Sequence, residues 1–456
     1  MLSLLKQSGF RQCIIVIIVN LNILTTGMSL SWPSPVLVKL NNETETPLKR
    51  PITLEVGSWI VSSGSLSVVF VLMFLSKLMD FIGRKYCLIL ACIPKILAST
   101  IFIFAKDAWQ LILGRAIIGT ADIFLLTIVP IYASEISDKN IRGSLGTFLQ
   151  VFSSLGVVIT LSVGPFVSYN TFSITFAGLI IATSIPTLFL PDSPYFLYSK
   201  GKTDDAIKVL KFLYGSKEQA NEEISAYATS MNNKKANILE LLKNRIVLKS
   251  LIISILFGVL TQLSGFNAVS YYLQTILEST KTNVMPETAS VIIGLIQLLA
   301  SASLTIVTER FKRRHIMIIS SCGVLIGMIG LGTFFKIKET TQTITGLINY
   351  LPVISLILVV YCYSAGTGAL FWVVISELFD GPARSFGVSV AVLVTAFTMF
   401  LTTKYFGSFT LAIGPAMTYW SFSIVCAIII LFIYFCIPET KGKTFNEIQK
   451  SLGAKN

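Results

Sequence analysis

Four amides and one indole stand inside long apolar runs: Gln150, Gln262, Asn267, Gln297 and Trp372. An amide both donates and accepts hydrogen bonds, and an indole offers a flat apolar face. Together they suit a neutral ligand studded with hydroxyls, such as a small sugar. A buried amide without a partner costs roughly 2–7 kcal/mol. Several at once point to a wet cavity, with hydrogen bonds between helices as the plainer alternative. Gly265 stands between Gln262 and Asn267. Residues five apart on a straight helix do not share a face. A break at Gly265 lets both amides meet one ligand.

The charged residues form a second set. Arg84, Glu135, Arg142, Glu377 and Arg384 stand at the ends of apolar runs. Glu135 precedes Arg142 by seven residues, and Glu377 precedes Arg384 by seven. Paired across the molecule, they would form an inner gate of individually modest ion pairs. Their plainer reading is as topology anchors. Asp122 lies mid-run, seven residues from Arg115 and so on the same helix face. A structural polar pair is expected there, with a proton site as the alternative; Lys95 is a further charge inside a run. The seven cysteines (Cys13, Cys87, Cys92, Cys322, Cys362, Cys426 and Cys436) all lie in or beside apolar runs, with no metal spacing. The single histidine, His315, lies in a basic loop. No catalytic cluster, metal site or cofactor is expected, and the chain does not read as an enzyme.

The elements that must position these groups follow from composition. Of 456 residues, 53% are apolar and 13% charged; mean hydropathy is +0.76. Runs of about 20 apolar residues match a bilayer core. About twelve occur, centred near residues 25, 66, 96, 121, 154, 181, 261, 298, 326, 361, 396 and 427. Each must be helical, because lipid offers the backbone no partners. A β-barrel would show short alternating segments instead. The run from Arg11 lacks a small-residue cleavage site and contains Asn20 and Asn22, so it reads as a retained helix.

The net charge of +13 invites a nucleic-acid reading. With the N-terminus inside, however, most Lys and Arg fall in cytoplasmic connections, which is the positive-inside bias. The charge then reports topology: a multi-pass protein with both termini cytoplasmic, partnered by the lipid bilayer and not by nucleic acid. A plasma-membrane location and a monomeric state are separate expectations. The stretch from Pro191 to about Leu248 reads as short amphipathic helices on the inner face, one opening with Thr203 as N-cap before Asp204 and Asp205. The polar outer loop carries Asn42-Glu43-Thr44, a glycosylation acceptor pattern at Asn42.

An internal repeat organises the chain. Asp80 to Lys85 (DFIGRK) recurs in character as Glu309 to Arg314 (ERFKRR), Glu135 as Glu377, and Pro191-Asp192 as Pro438-Glu439, at offsets of 229, 242 and 247 residues. Three pairs in register with the spans imply two six-helix halves with a site at their interface. The expected fold is an all-α membrane protein of twelve helices in two pseudo-symmetric bundles. The expected divisions are 1–190, a linker 191–248, 249–437 and a tail 438–456.

The whole chain resembles the sugar-porter family of the major facilitator superfamily. Gly83-Arg84-Lys85, Gly114-Arg115, and Pro130 through Glu135 to Arg142-Gly143 carry the likeness. So do Gln262-Leu-Ser-Gly265-Phe-Asn267, Trp372 through Glu377, and Pro438 to Lys443. Gly27 to Pro35 and Thr403-Lys404 look most like the insect facilitated trehalose transporters. The resemblance implies sugar transport by alternating access, with the same amides and Trp372 as substrate ligands and Tyr271 and Tyr272 as outer gate. It also shows departures. The family usually has Arg at Phe81 and Tyr195, Gly at Lys312, Gln at Thr261, Asn at Gln297, prolines at Ala369 and Phe371, and Asn-Trp at Thr395-Ala396. Family symporters carry an Asp near Ser29, which cannot titrate; this favours facilitated diffusion of trehalose or a hexose. The alternatives are a proton-coupled symporter using Asp122, or a non-transporting sugar receptor.

Overall fold

The computed structural model describes residues 7–138, 147–231, 244–341, 346–379, 381–443 and 445–453; Arg142 lies outside them. Every regular element described is helical. Span 1 is Gln7–Ser31 continued by Pro33–Asn41. Spans 2 to 6 are Leu54–Ile82, Arg84–Phe104, Ala108–Ile136, Phe148–Val163 and Tyr169–Thr187. Span 7 comprises Arg245–Leu263, Phe266–Tyr271 and Leu273–Thr280. Spans 8 and 9 are Pro286–Arg310 and Arg313–Thr340. Span 10 comprises Leu351–Ala365 and Thr367–Glu377, and spans 11 and 12 are Gly381–Ile413 and Pro415–Cys436. Ten of these are long and apolar enough to cross a membrane among the described residues. Span 5, with 16 described residues, is shorter, and span 6 opens with the polar Tyr169, Asn170 and Thr171.

The repeat read in the sequence is built in the packing. In the first half span 1 packs on span 5, span 2 on span 4, and span 3 on spans 4 and 6. In the second half span 7 packs on span 11, span 8 on span 10, and span 9 on spans 10 and 12. The halves meet where span 2 lies on span 11 and span 5 on span 8.

Three short helices follow span 6: Pro194–Ser199, Thr203–Tyr214 and Lys217–Met231. The face that carries them is here the linker face. The second lies under span 1, where Arg11 donates to the carbonyl of Phe212 at 3.0 Å and Gln12 to that of Leu213 at 3.3 Å. Thr203 is its first helical residue and Lys202 the cap, without a side-chain bond. The expected Thr203 cap is therefore displaced by one residue; Asp204 and Asp205 still sit in the first turn, where the helix dipole favours them.

Span 7 breaks where the sequence expects it. Gly265 has φ +83°, and a Cβ there would lie 2.3 Å from the Phe422 ring. Only glycine combines that conformation with that proximity. Span 10 breaks at Gly366, where the Ser320 hydroxyl accepts from the Thr367 amide at 2.9 Å.

Candidate functional site

The Gly265 break brings Gln262 and Asn267 together. Asn267 Nδ2 donates to Gln262 Oε1 at 2.6 Å. Gln262 is buried and Asn267 half-buried. Each amide thus satisfies one atom of the other. Gln262 Nε2 and Asn267 Oδ1, a donor and an acceptor, are uncommitted among the described residues. A hydroxyl, which both gives and takes a hydrogen bond, complements such a pair.

Gln150 and Gln297 are half-buried on spans 5 and 8. One turn beyond each, the hydroxyls of Ser154 and Ser301 meet at 2.5 Å across the two halves. Trp372 is 48% exposed and lies edge-on to Phe371, with ring centroids 5.4 Å apart. No hydrogen bond or ring contact among the described residues joins Gln150, Gln297 or Trp372 to the Gln262–Asn267 pair. Behind the break Phe266 stacks on Tyr363 of span 10, with centroids 3.7 Å apart.

The face opposite the linker helices is closed. Tyr271 and Tyr272 are buried there, within an apolar cluster that also holds Leu37, Val61, Val157 and Leu161 of the first half. Tyr272 donates to the carbonyl of Thr403 at 3.2 Å. The backbone N–H of Gln274 donates to the Ser34 hydroxyl at 3.1 Å across the halves. Asn42 is exposed on this face, and its Oδ1 accepts from the Thr44 amide at 3.1 Å.

A further closure contact is Lys404 of span 11, which donates to Ser58 of span 2 at 2.9 Å and lies 4.2 Å from the Trp59 ring centroid. A cation over an indole is worth about 0.5–2 kcal/mol. Lys404→Met is therefore expected to raise the population open at this face about two- to thirtyfold. Maleimide labelling of a cysteine placed at Val61 measures it, and equal rates in the parent and Lys404→Met backgrounds would remove Lys404 from the closure.

Among the described residues, the Arg84–Glu135 and Arg313–Glu377 ion pairs of the linker face form within each half, not across them. Arg84 meets Glu135 at 3.0 Å, and Ser193 donates to the same carboxylate. Tyr195, where the resemblance leads one to expect Arg, lies 5.7 Å under the Arg84 guanidinium. In the second half Glu377 pairs with Arg313, and Arg313 also reaches Thr440 at 3.3 Å. Arg384 is exposed, and none of the ion pairs among the described residues includes it. The 229-residue offset that carries Asp80 onto Glu309 also carries Arg84 onto Arg313. That signal could have found Arg313.

Asp122 pairs with Lys95 of span 3 at 3.0 Å, not with Arg115. Lys95 is fully buried and also donates to Thr25 at 2.9 Å and Thr26 at 2.8 Å. The pair thus ties the middle of span 1 to spans 3 and 4. Arg115 instead donates to the carbonyl of Ser29 at 2.8 Å and packs over Trp32 at 5.7 Å.

Two pseudo-symmetric helical bundles with broken helices beside their interface make a membrane fold of the major facilitator type. The family model of sugar (and other) transporters matches residues 35–452, and the chain belongs to that family, one of transporters and not of enzymes. It is 27% identical over 447 residues to the facilitated trehalose transporter Tret1 of Polypedilum vanderplanki, covering 97% of this chain and 88% of that one. Likeness to Tret1 of Apis mellifera ligustica is 27% over 454 residues, with 98% and 89% covered. Against Tret1 of Aedes aegypti it is 26%, covering 95% of this chain and 54% of that longer one. The fold is similar to the partially occluded inward-open xylose transporter XylE from E. coli, with TM-score 0.79 at 18% identity over 94% of this chain and 98% of XylE.

Proposed function

We propose that the chain carries a small neutral sugar, trehalose or a hexose, across the plasma membrane by alternating access, as facilitated diffusion. The observation that carries this reading is the Gln262–Asn267 pair beside the Gly265 break, with one donor and one acceptor to spare. Gln150, Gln297 and Trp372 complete the substrate contacts. Tyr271 and Tyr272 close the outer side. The linker face is cytoplasmic with both termini, residues 1–190 and 249–437 are the moving halves, and Asn42 is an outer glycosylation acceptor. The protein works as a monomer. The relatives named as facilitated trehalose transporters favour trehalose as the first sugar to try.

Passive transport is supported at Ser29. The residue there is a hydroxyl, and its carbonyl and hydroxyl occupy Arg115 at 2.8 and 3.4 Å. Asp122 is taken by Lys95. A labelled sugar panel in proteoliposomes tests both points. Uptake is expected to stop at equilibrium and to ignore an imposed pH gradient. Accumulation driven by that gradient, and abolished by Asp122→Asn while sugar exchange without a gradient persists, would instead establish the second reading, proton coupling through a buried carboxylate.

The linker-face pairs refine the gate. Glu377 is bound to Arg313 of its own half, so Glu377→Gln loosens that half and does not selectively weaken one state. Cysteine labelling at Ser389 is expected to change less than about twofold in Glu377→Gln, because the half-buried pair lies within one half and only differential effects shift populations. A larger change would show that Glu377 exchanges partners across the halves.

A further inference from the structure

A cavity of about 770 Å³ opens between the start of span 7, the end of span 12 and the last helix, Phe445–Ser451. Its lining is divided by chemistry. Arg245, Lys249, Arg314 and Lys443 stand at its polar end, on the linker face. Glu439 is the only carboxylate among the lining residues. Its oxygens are taken up by the backbone amides of Arg313, Arg314 and Lys441 at 3.2, 3.2 and 2.9 Å. None of the four cations is ion-paired among the described residues. Lys249 spends one donor on the Leu452 carbonyl at 2.8 Å, which holds the last helix against span 7. The Arg314 guanidinium lies over the Tyr434 ring, 5.0 Å from its centroid, a neighbour that takes up none of its N–H donors.

The other wall is oily. Leu248, Ile252 and Leu256 recur at every fourth residue of span 7, so they line one side of the helix at successive depths. All three are exposed, as is Phe435 of span 12. A soluble anion gains nothing from such a wall, whereas an acyl chain gains about 0.8 kcal/mol per buried CH₂. Basic pockets at the ends of membrane helices suit phosphate-bearing lipid headgroups.

We propose that this cavity binds an anionic phospholipid of the leaflet at the linker face. The phosphate and the headgroup acid sit among Arg245, Lys249, Arg314 and Lys443. One acyl chain lies along Leu248, Ile252 and Leu256. Because the last helix and span 7 both form the site, a bound lipid ties the C-terminal segment to the start of a broken span.

Native mass spectrometry of the full-length chain with phosphatidylserine and phosphatidylcholine tests this. The parent is expected to retain phosphatidylserine in preference, and Arg245→Gln with Lys249→Gln to lose that preference at least about tenfold. Both side chains are exposed, so the fold should persist. Lys202→Gln with Lys211→Gln removes the same charge from the linker helix outside the cavity and is expected to leave the preference intact. Equal retention by the parent and the cavity variant would overturn the proposal. So would equal loss in the linker variant, which would mean bulk charge alone. Displacement of the lipid by millimolar inorganic phosphate would also overturn it, by showing a soluble-anion site.

Discussion

Asn267→Ala is expected to cut the initial rate of labelled trehalose uptake about five- to 150-fold at unchanged surface expression. The side chain it removes donates at 2.6 Å to Gln262 Oε1 and holds a free acceptor beside it. Truncation strands the Gln262 carbonyl on a buried residue and deletes one hydrogen bond to the ligand. A bond lost with its partner stranded costs about 1–3 kcal/mol. Gln262→Ala is expected to match it, and the double variant to fall well short of the summed loss, because both act through one bonded unit. Thermal unfolding in detergent separates site from fold: a rate loss without a matching fall in Tm belongs to the site. Parent-like kinetics in both single variants would remove span 7 from the substrate path.

Lys95→Met is expected to destabilise the first half by about 3–5 kcal/mol, the cost of breaking a buried pair and leaving one charge alone. It strands Asp122 and also releases Thr25 and Thr26 of span 1. Asp122→Asn is expected to do comparable harm by leaving the ammonium without its carboxylate. Lys95→Met combined with Asp122→Leu should recover much of the loss, since a pair exchanged for apolar groups is often neutral. Denaturation of the purified chain in detergent reads all three. Strictly additive losses in the double variant would show that the two residues act separately. Parent-like passive uptake by a folded double variant would place the pair in the scaffold and not in a proton path.

The helices were legible because lipid leaves an apolar run no other structure. The break at Gly265 was legible because two amides flanked a glycine inside such a run, and the two halves because three motifs recur in register. Pairings were not. Seven residues share a helix face but stand about 10 Å apart along the axis, too far for an ion pair. Asp122 could not reach Arg115, and its partner came from span 3. Glu377 likewise found Arg313 at the start of span 9. A partner on another span is set by which helices are neighbours, and periodicity within one helix is blind to that. The same holds for Tyr195, whose ring lies beneath Arg84. For Gln150, Gln297 and Trp372 the sequence gives chemical type and depth in the bilayer; convergence on one ligand depends on how the halves are inclined.

The linker-face salt bridges have a consequence for how the molecule could be assembled. Each is closed within its own half. The helix Thr203–Tyr214 is fastened to span 1, and the last helix to span 7. The described linker-face ion pairs and the short helices beside them therefore each stay with one bundle. Cut between the helix Lys217–Met231 and span 7, the chain becomes two six-helix polypeptides, each keeping its described linker-face ion pairs, and co-expressed fragments should find each other along spans 2 and 11 and spans 5 and 8.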